Sequence, residues 1–269
     1  MNKIEFYSAW FCPFAQRAWL TLEYHKIPYE YVESLSVKMD QSEGIHGYEK
    51  NPRLLELNPK GLVPTLSIPL EAAKGVELKD RELKRIEDST ILTESIDCIE
   101  FLNAMAGKNG SSTHSLIPDP ALIADTHRMN QNICSTFYKV LMKPTREEQK
   151  EAFVFFARSI AEFLDDVQDD GFYKSSFPTI VDIAVIPWIL RLPLLQHYRP
   201  TLKLDEELSK TFVEKLDSYV KRINGLSAVK QTLWKDENDL IAAYKRYANG
   251  TATSQVGIAV RSGNNAHDV

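Results

Sequence analysis

The residues with the clearest chemical potential stand near the start of the chain, in Phe11-Cys12-Pro13-Phe14-Ala15-Gln16-Arg17. Proline is pre-organised for a first helical position, which predicts Cys12 as the N-cap of a helix beginning at Pro13. A sulfur there faces free backbone N–H groups and the positive end of the helix dipole. Both favour the nucleophilic thiolate over the thiol. A cysteine is often no more than a small buried hydrophobe, but a strand, a Cys-Pro step and a helix in succession favour a reactive one. Ala15 occupies the position where a Cys-x-x-Cys dithiol would carry its second sulfur. An external thiol must therefore resolve any mixed disulfide on Cys12. Cys98 and Cys134 fall within helical patterns and are expected to be buried and inert. The three cysteines and six histidines show no metal-ligand spacing, so no metal is expected.

The elements that must position Cys12 read as α/β over residues 1–104. Ile4 to Tyr7 is a short strand, and Ala15, Ala18, Trp19 and Leu22 then follow at helical spacing. Tyr29 to Val32 is a second strand after Pro28, Gly61 to Ile68 a turn entering a third, and Thr90 to Thr93 a fourth. Ile96, Ile99, Phe101 and Leu102 mark the next helix. The charged stretch from Glu71 to Asp88 reads as a solvated insertion, a helical turn or an extended hairpin, without chemistry of its own. Residues 105–119, with Gly107, Gly110, Ser111 and Ser112, read as an interdomain linker. Residues 120–248 read as all-helical, with helices over Leu122–Met142, Arg146–Asp166, Ile180–Leu192, Glu206–Arg222 and Leu226–Tyr247. Thr179-Ile180-Val181-Asp182 has the form of a capping box ahead of an apolar run, a structural device. The small, polar tail 249–269 is expected to be disordered.

Composition sets broad limits. Apolar residues make up 43% and charged residues 26% of 269 residues, the balance of a globular protein with a sizeable core. A formal charge of −5 gives no reason to expect nucleic acid or an acidic membrane as a partner. Met1-Asn2-Lys3 leads directly into the first strand, so no signal peptide is expected, nor is any apolar run expected to reach bilayer length. A reducing cytosol is the simplest expectation.

With the segment around Cys12, two further motifs, Asn58-Pro59-Lys60-Gly61-Leu62-Val63-Pro64 and Glu94-Ser95, make the sequence resemble cytosolic glutathione transferases of the Omega class. The resemblance covers most of the chain, although the stretch 71–88 is longer than the usual turn. It implies a thioredoxin-like α/β N-terminal domain followed by an all-α C-terminal domain. Cys12 is then the catalytic residue, and Phe14, Lys50, Val63, Pro64, Glu94 and Ser95 bind glutathione. Val63 would pair its backbone with the cysteinyl part, ahead of a cis bond to Pro64. Such a bond costs only about 0.5–1 kcal/mol. Ser95 would cap the helix that it opens, taking the γ-glutamyl carboxylate among free N–H groups, while Glu94 takes the ammonium. Asp88-Ser89 offers a rival register of the same form. Lys50 aligns with a lysine for the glycine end. Trp188, Arg191 and Trp234, the last placed in the final helix, are candidates for a second-substrate pocket, with core packing as the competing role.

The implied activity is a glutathione-dependent thiol transferase or reductase, removing glutathione from mixed disulfides or reducing dehydroascorbate-type substrates, with possible weak conjugation. Glutathione serves as ligand and reductant, and a homodimer is implied. The alternative is a non-catalytic ligand-binding or regulatory protein on the same scaffold. A glutaredoxin fused to an unrelated helical domain ranks below both.

Overall fold

The computed structural model describes residues 3–40, 44–79, 81–110, 113–234 and 236–267. The chain divides into two units: 1–38, 48–118 and 225–235 form the first, and 39–47, 119–224 and 236–269 the second.

The first unit opens with β1 (Ile4–Ser8) and α1 (Pro13–His25). Pro13 starts α1, and Lys26 ends it in a left-handed conformation (φ 54°, ψ 38°), its N–H on the Glu23 and Leu22 carbonyls. β2 (Tyr29–Glu33) then lies parallel to β1, Ile4 opposite Tyr29 and Ser8 opposite Glu33. Two strands unseen in the sequence follow, β3 (Leu35–Asp40) and β4 (Gly44–Lys50), paired in a separate two-stranded sheet. After α2 (Pro52–Leu57), β5 (Thr65–Pro69) pairs antiparallel with β1. α3 (Leu70–Ala73), β6 (Lys84–Ile86) and β7 (Ser89–Leu92) precede α4 (Ser95–Lys108). The main sheet has the order β2-β1-β5-β7-β6. Phe6, Leu66, Ile68 and Leu92 from the sheet meet Ala18 and Leu22 of α1 and Cys98, Phe101, Leu102 and Met105 of α4 in one apolar core.

The charged stretch 71–88 contains both alternatives foreseen for it, a helical turn and a hairpin strand at the sheet edge. It is not merely solvated, because Ala73, Val76 and Leu78 are buried in the same core. The expected linker also begins too early. α4 runs through Lys108, and the Asn103 side chain accepts the Leu116 N–H (2.7 Å), holding the following segment against the helix.

From residue 119 onward the second unit is built of helices. α5 (Ala121–Met129) continues through a π-helical turn, Asn130–Ser135, into α6 (Thr136–Met142), the long helix foreseen from Leu122. α7 (Arg146–Asp165), α8 (Ile180–Ile189), α9 (Leu192–Tyr198), α10 (Leu204–Glu207) and α11 (Lys210–Gly225) follow. Every residue of α8 is buried, as befits a helix apolar on all faces. Ile180–Tyr198 does reach membrane-spanning length and hydropathy, against the sequence expectation, but 72% of its most apolar window is buried within the protein.

The helix expected over 226–247 is two helices. α12 (Ser227–Thr232) packs on α1 in the first unit, and α13 (Glu237–Ala248) belongs to the second. The tail is not disordered over its described length: α14 (Gln255–Arg261) is capped by Ser254, whose Oγ accepts the Gly257 N–H at 3.1 Å. Its small residues hid the packing, since Ala259, Val260 and Ala266 are buried. A Cβ on Gly257 would lie 2.7 Å from the Ala252 carbonyl oxygen.

Candidate active site

The candidate site belongs to the first unit, and α1 supplies its centre. Cys12 is the N-cap of α1 (φ −82°, ψ 118°), half-buried, with no side-chain cap on the helix and no acidic residue in its first turn. Its carbonyl accepts the Gln16 N–H (3.0 Å), the first helical bond, and its own N–H bonds to the Ala9 carbonyl (2.9 Å). The sulfur thus stands at the positive end of the α1 dipole.

Opposite Cys12 stands the backbone of the 58–65 loop. The Val63–Pro64 bond is cis, and the Cys12 Sγ lies 3.8 Å from the Val63 carbonyl oxygen. Asn58 fixes this loop from within. Its Nδ2 donates to the Leu62 carbonyl and to Thr65 Oγ1, each at 3.2 Å, and its Oδ1 accepts the Lys60 N–H at 3.3 Å. Gly61 has φ +61°, and an added Cβ would sit 2.6 Å from Lys50 Cδ, so both conformation and space require glycine. The Lys50 ammonium lies on the Lys60 carbonyl (2.9 Å), which puts its charge at the edge of the same loop.

The third wall is the start of α4. Glu94 is the N-cap and Ser95 the first helical residue, so the serine is one position further in than a capping role requires. The Asp88-Ser89 alternative is excluded from a helix start: Ser89 begins strand β7. Glu94 is exposed, Ser95 buried. Arg17, fully buried on α1, donates from Nη1 to Ser95 Oγ (3.1 Å), and its guanidinium stacks 5.4 Å from the centre of the Phe14 ring. Because the Ser95 oxygen already accepts from Arg17, its O–H is left as a donor toward a ligand. Gln16 reaches the other way, from Nε2 to the Thr232 carbonyl (3.1 Å), tying α1 to α12.

Cys12, Phe14, Lys50, Val63, Pro64, Glu94 and Ser95 thus fall on the first two turns of α1, the 58–65 loop and its lysine, and the start of α4. Trp188 and Arg191 do not join them. Both are fully buried in the second unit, where Arg191 Nε donates to the Tyr244 hydroxyl (3.0 Å) and Nη1 to the Pro187 carbonyl (2.7 Å). They are core residues, because nothing can be bound by side chains with no accessible surface. Trp234 is half-buried and lies after α12 rather than within a helix, in the first unit with Cys12.

Arg17, Gln16 and Asn58 were missed as site residues. Arg17 carried a legible signal: a cation on the face of α1 that also holds Leu20 and Thr21 needs a partner if that face is buried. The other cysteines are isolated from solvent. Cys98 is fully buried and burial pushes its thiol pKa up, while Cys134 donates to the Ala184 carbonyl (3.6 Å). Among the described residues no three His, Cys, Asp or Glu side chains form a metal-binding group.

Residues 11–105 match the family model for the glutathione S-transferase N-terminal domain. No curated protein matches the sequence. Among solved structures, glutathione transferase Omega 3C from Trametes versicolor is 24% identical, covering 94% of both chains at a TM-score of 0.67. The Tau class glutathione S-transferase from mango is 18% identical over 91% of this chain and 98% of its own, at 0.66. A glutathione transferase family member from Pseudomonas fluorescens, solved with two glutathione bound, is 18% identical over 86% and 92%, at 0.60. The chain therefore has the glutathione transferase fold, and residues 11–105 match the family model for the glutathione S-transferase N-terminal domain.

Proposed function

We propose that this protein is a glutathione-dependent thiol transferase of Omega-like type, working through a Cys12–glutathione mixed disulfide. The observation that carries the reading is a half-exposed sulfur at the uncapped start of α1, facing the Val63 carbonyl beside a cis proline, with both other cysteines buried. A thiolate is favoured at such a helix start. A ligand's cysteinyl backbone would lie along Val63, its γ-glutamyl carboxylate at the Ser95 hydroxyl and the first N–H groups of α4, its ammonium by Glu94, and its glycine end toward Lys50.

In the first half-reaction the Cys12 thiolate attacks the glutathionyl sulfur of a mixed disulfide. A Cys12–glutathione disulfide forms, the old S–S bond breaks, and the substrate leaves as a thiolate that takes a proton from water. A second glutathione thiolate then attacks the glutathionyl sulfur, releasing oxidised glutathione and the Cys12 thiolate. Cys98 and Cys134 are buried in apolar surroundings, which leaves resolution to an external thiol. A cysteine at this position competes with glutathione for electrophiles instead of stabilising its thiolate, so conjugation is the minor activity. Trp234 is the remaining candidate for second-substrate contact. A homodimer and a cytosolic location accompany this proposal.

The test joins mass spectrometry to kinetics. Exposure to oxidised glutathione should add one glutathione, mapped to Cys12, and Cys12→Ser should lower reduction of a small mixed disulfide at least about a hundredfold. Activity that survives the substitution would sink the mechanism. Absence of both adduct and turnover in the wild type would favour a ligand-binding protein on this scaffold.

A further inference from the structure

We propose that Arg81, on the segment 71–88 that extends the main sheet, is a specificity-determining residue for the amino end of glutathione; this rests on the glutathione reading above. The start of α4 has free N–H groups for a carboxylate, yet the sequence places two carboxylates of its own there: Glu94 at the N-cap and Asp97 in the first turn. Asp97 suits the helix dipole, and for the same reason it competes with an arriving anion. A ligand carboxylate docking at Ser95 would meet uncompensated negative charge one turn away.

The extended segment supplies the compensation. The Arg81 guanidinium is in direct contact with the Asp97 carboxylate, and the two side chains are 37% and 15% exposed. A cavity of about 360 Å³ opens beside this pair, with Arg81, Lys84, Leu92, Thr93, Glu94 and Asp97 among its walls. Lys84 anchors the far side, its ammonium on the Leu57 carbonyl at the end of α2 (2.9 Å). The segment is independently seated in the core through Ala73, Val76 and Leu78. Removing the guanidinium therefore removes a charge without removing what holds the segment in place. In this arrangement Asp97 is neutralised from the side, the helix start recovers its affinity for a carboxylate, and Glu94 is left to meet the ligand's ammonium. Arg81 touches Asp97 rather than the reacting sulfur, so it should set affinity for the amino end and leave the chemistry at Cys12 alone.

The experiment is calorimetric titration of the full-length protein with reduced glutathione, for wild type, Arg81→Gln, Asp97→Asn and the double variant. Arg81→Gln should raise the Kd about fivefold, the scale expected of a partly screened charge near a ligand carboxylate. Adding Asp97→Asn should return it to within about twofold of wild type, a non-additivity that a packing defect would not produce. Cysteinylglycine, which lacks the γ-glutamyl carboxylate, should show no further loss in Arg81→Gln. In steady-state reduction the change should appear in KM, with kcat held. If wild type binds glutathione and Arg81→Gln binds it equally well, this inference is overturned alone; so it is if Asp97→Asn fails to rescue. A wild type that binds no glutathione overturns both this inference and the reading beneath it.

Discussion

Two helix starts in this molecule have been finished in opposite ways. At α8 a capping box between Thr179 and Asp182 closes the helix start. Asp182, fully buried, accepts from the Thr179 N–H and Oγ1 (both 2.8 Å), the Tyr173 N–H (3.1 Å) and the Tyr219 hydroxyl (2.9 Å). At α1 the N-cap is Cys12, with no side-chain cap and no acidic residue in the first turn. A carboxylate among four donors secures a helix; a sulfur at an open start leaves the field of the helix available for chemistry. The two units thus treat one physical resource, the start of a helix, differently: a capping box secures it in one, and the proposed mechanism would use it for reactivity in the other.

The largest effect should come from opening the closed start. Asp182→Ala leaves the Thr179 and Tyr173 N–H groups and the Tyr219 hydroxyl without their acceptor, at a cost of about 3–5 kcal/mol for a buried network of this kind. Chemical denaturation should register that loss, while labelling of Cys12 by a thiol reagent, per folded molecule, stays at the wild-type rate. A variant of normal stability but slowed Cys12 labelling would contradict the division of roles.

The two starts were alike in legibility. Both were readable because each is local: Thr179 and Asp182 are three residues apart, and Cys12 adjoins the proline that begins α1. The Val63-Pro64 step and the Glu94-Ser95 helix start came instead from the resemblance of their motifs to a known family, with Asp88-Ser89 left open as a rival register. What escaped the sequence is what depends on distant partners. Arg17 meets Ser95 across 78 positions, and Gln16 meets Thr232 across 216. Trp188 and Arg191 fit a pocket as well as a core by residue type; only burial separates the two. The tail failed for a different reason, since α14 packs through alanine, valine and glycine, whose weak amphipathic pattern resembles a polar tail. The stretch 71–88 hid three core residues among its charges.

The other end of α1 provides a smaller, pH-dependent test. His25, in the last turn, would as a cation complement the helix C-terminus, but it is 6% exposed and bonded through Nδ1 to Thr113 Oγ1 (2.6 Å). Burial lowers its pKa to about 4, outweighing the opposing effect of a hydrogen bond with Asn103. A folded pKa below the unfolded value means that the unfolded chain takes up the proton first. The His25 contribution is therefore complete above about pH 6.5 and is lost as pH falls toward 4, by about 3 kcal/mol over that interval. Denaturation curves from pH 7.5 to 4 should show His25→Gln losing less stability than wild type. Parallel losses would mean that His25 is charged in the folded protein.

The smallest stability effect should come from closing the open start. Cys12 already has the extended backbone conformation of an N-cap and makes no side-chain capping bond, so Cys12→Ser places a preferred capping oxygen at the start of α1. That should stabilise the fold by about 0.5–1 kcal/mol, while removing the group on which the proposed chemistry depends. The sign matters more than the size. Stabilisation that coincides with the loss of mixed-disulfide reduction would show that the open start costs stability and is retained for reactivity. Destabilisation by Cys12→Ser would instead mean that the sulfur is itself part of the packing, and the contrast with α8 would lose its meaning.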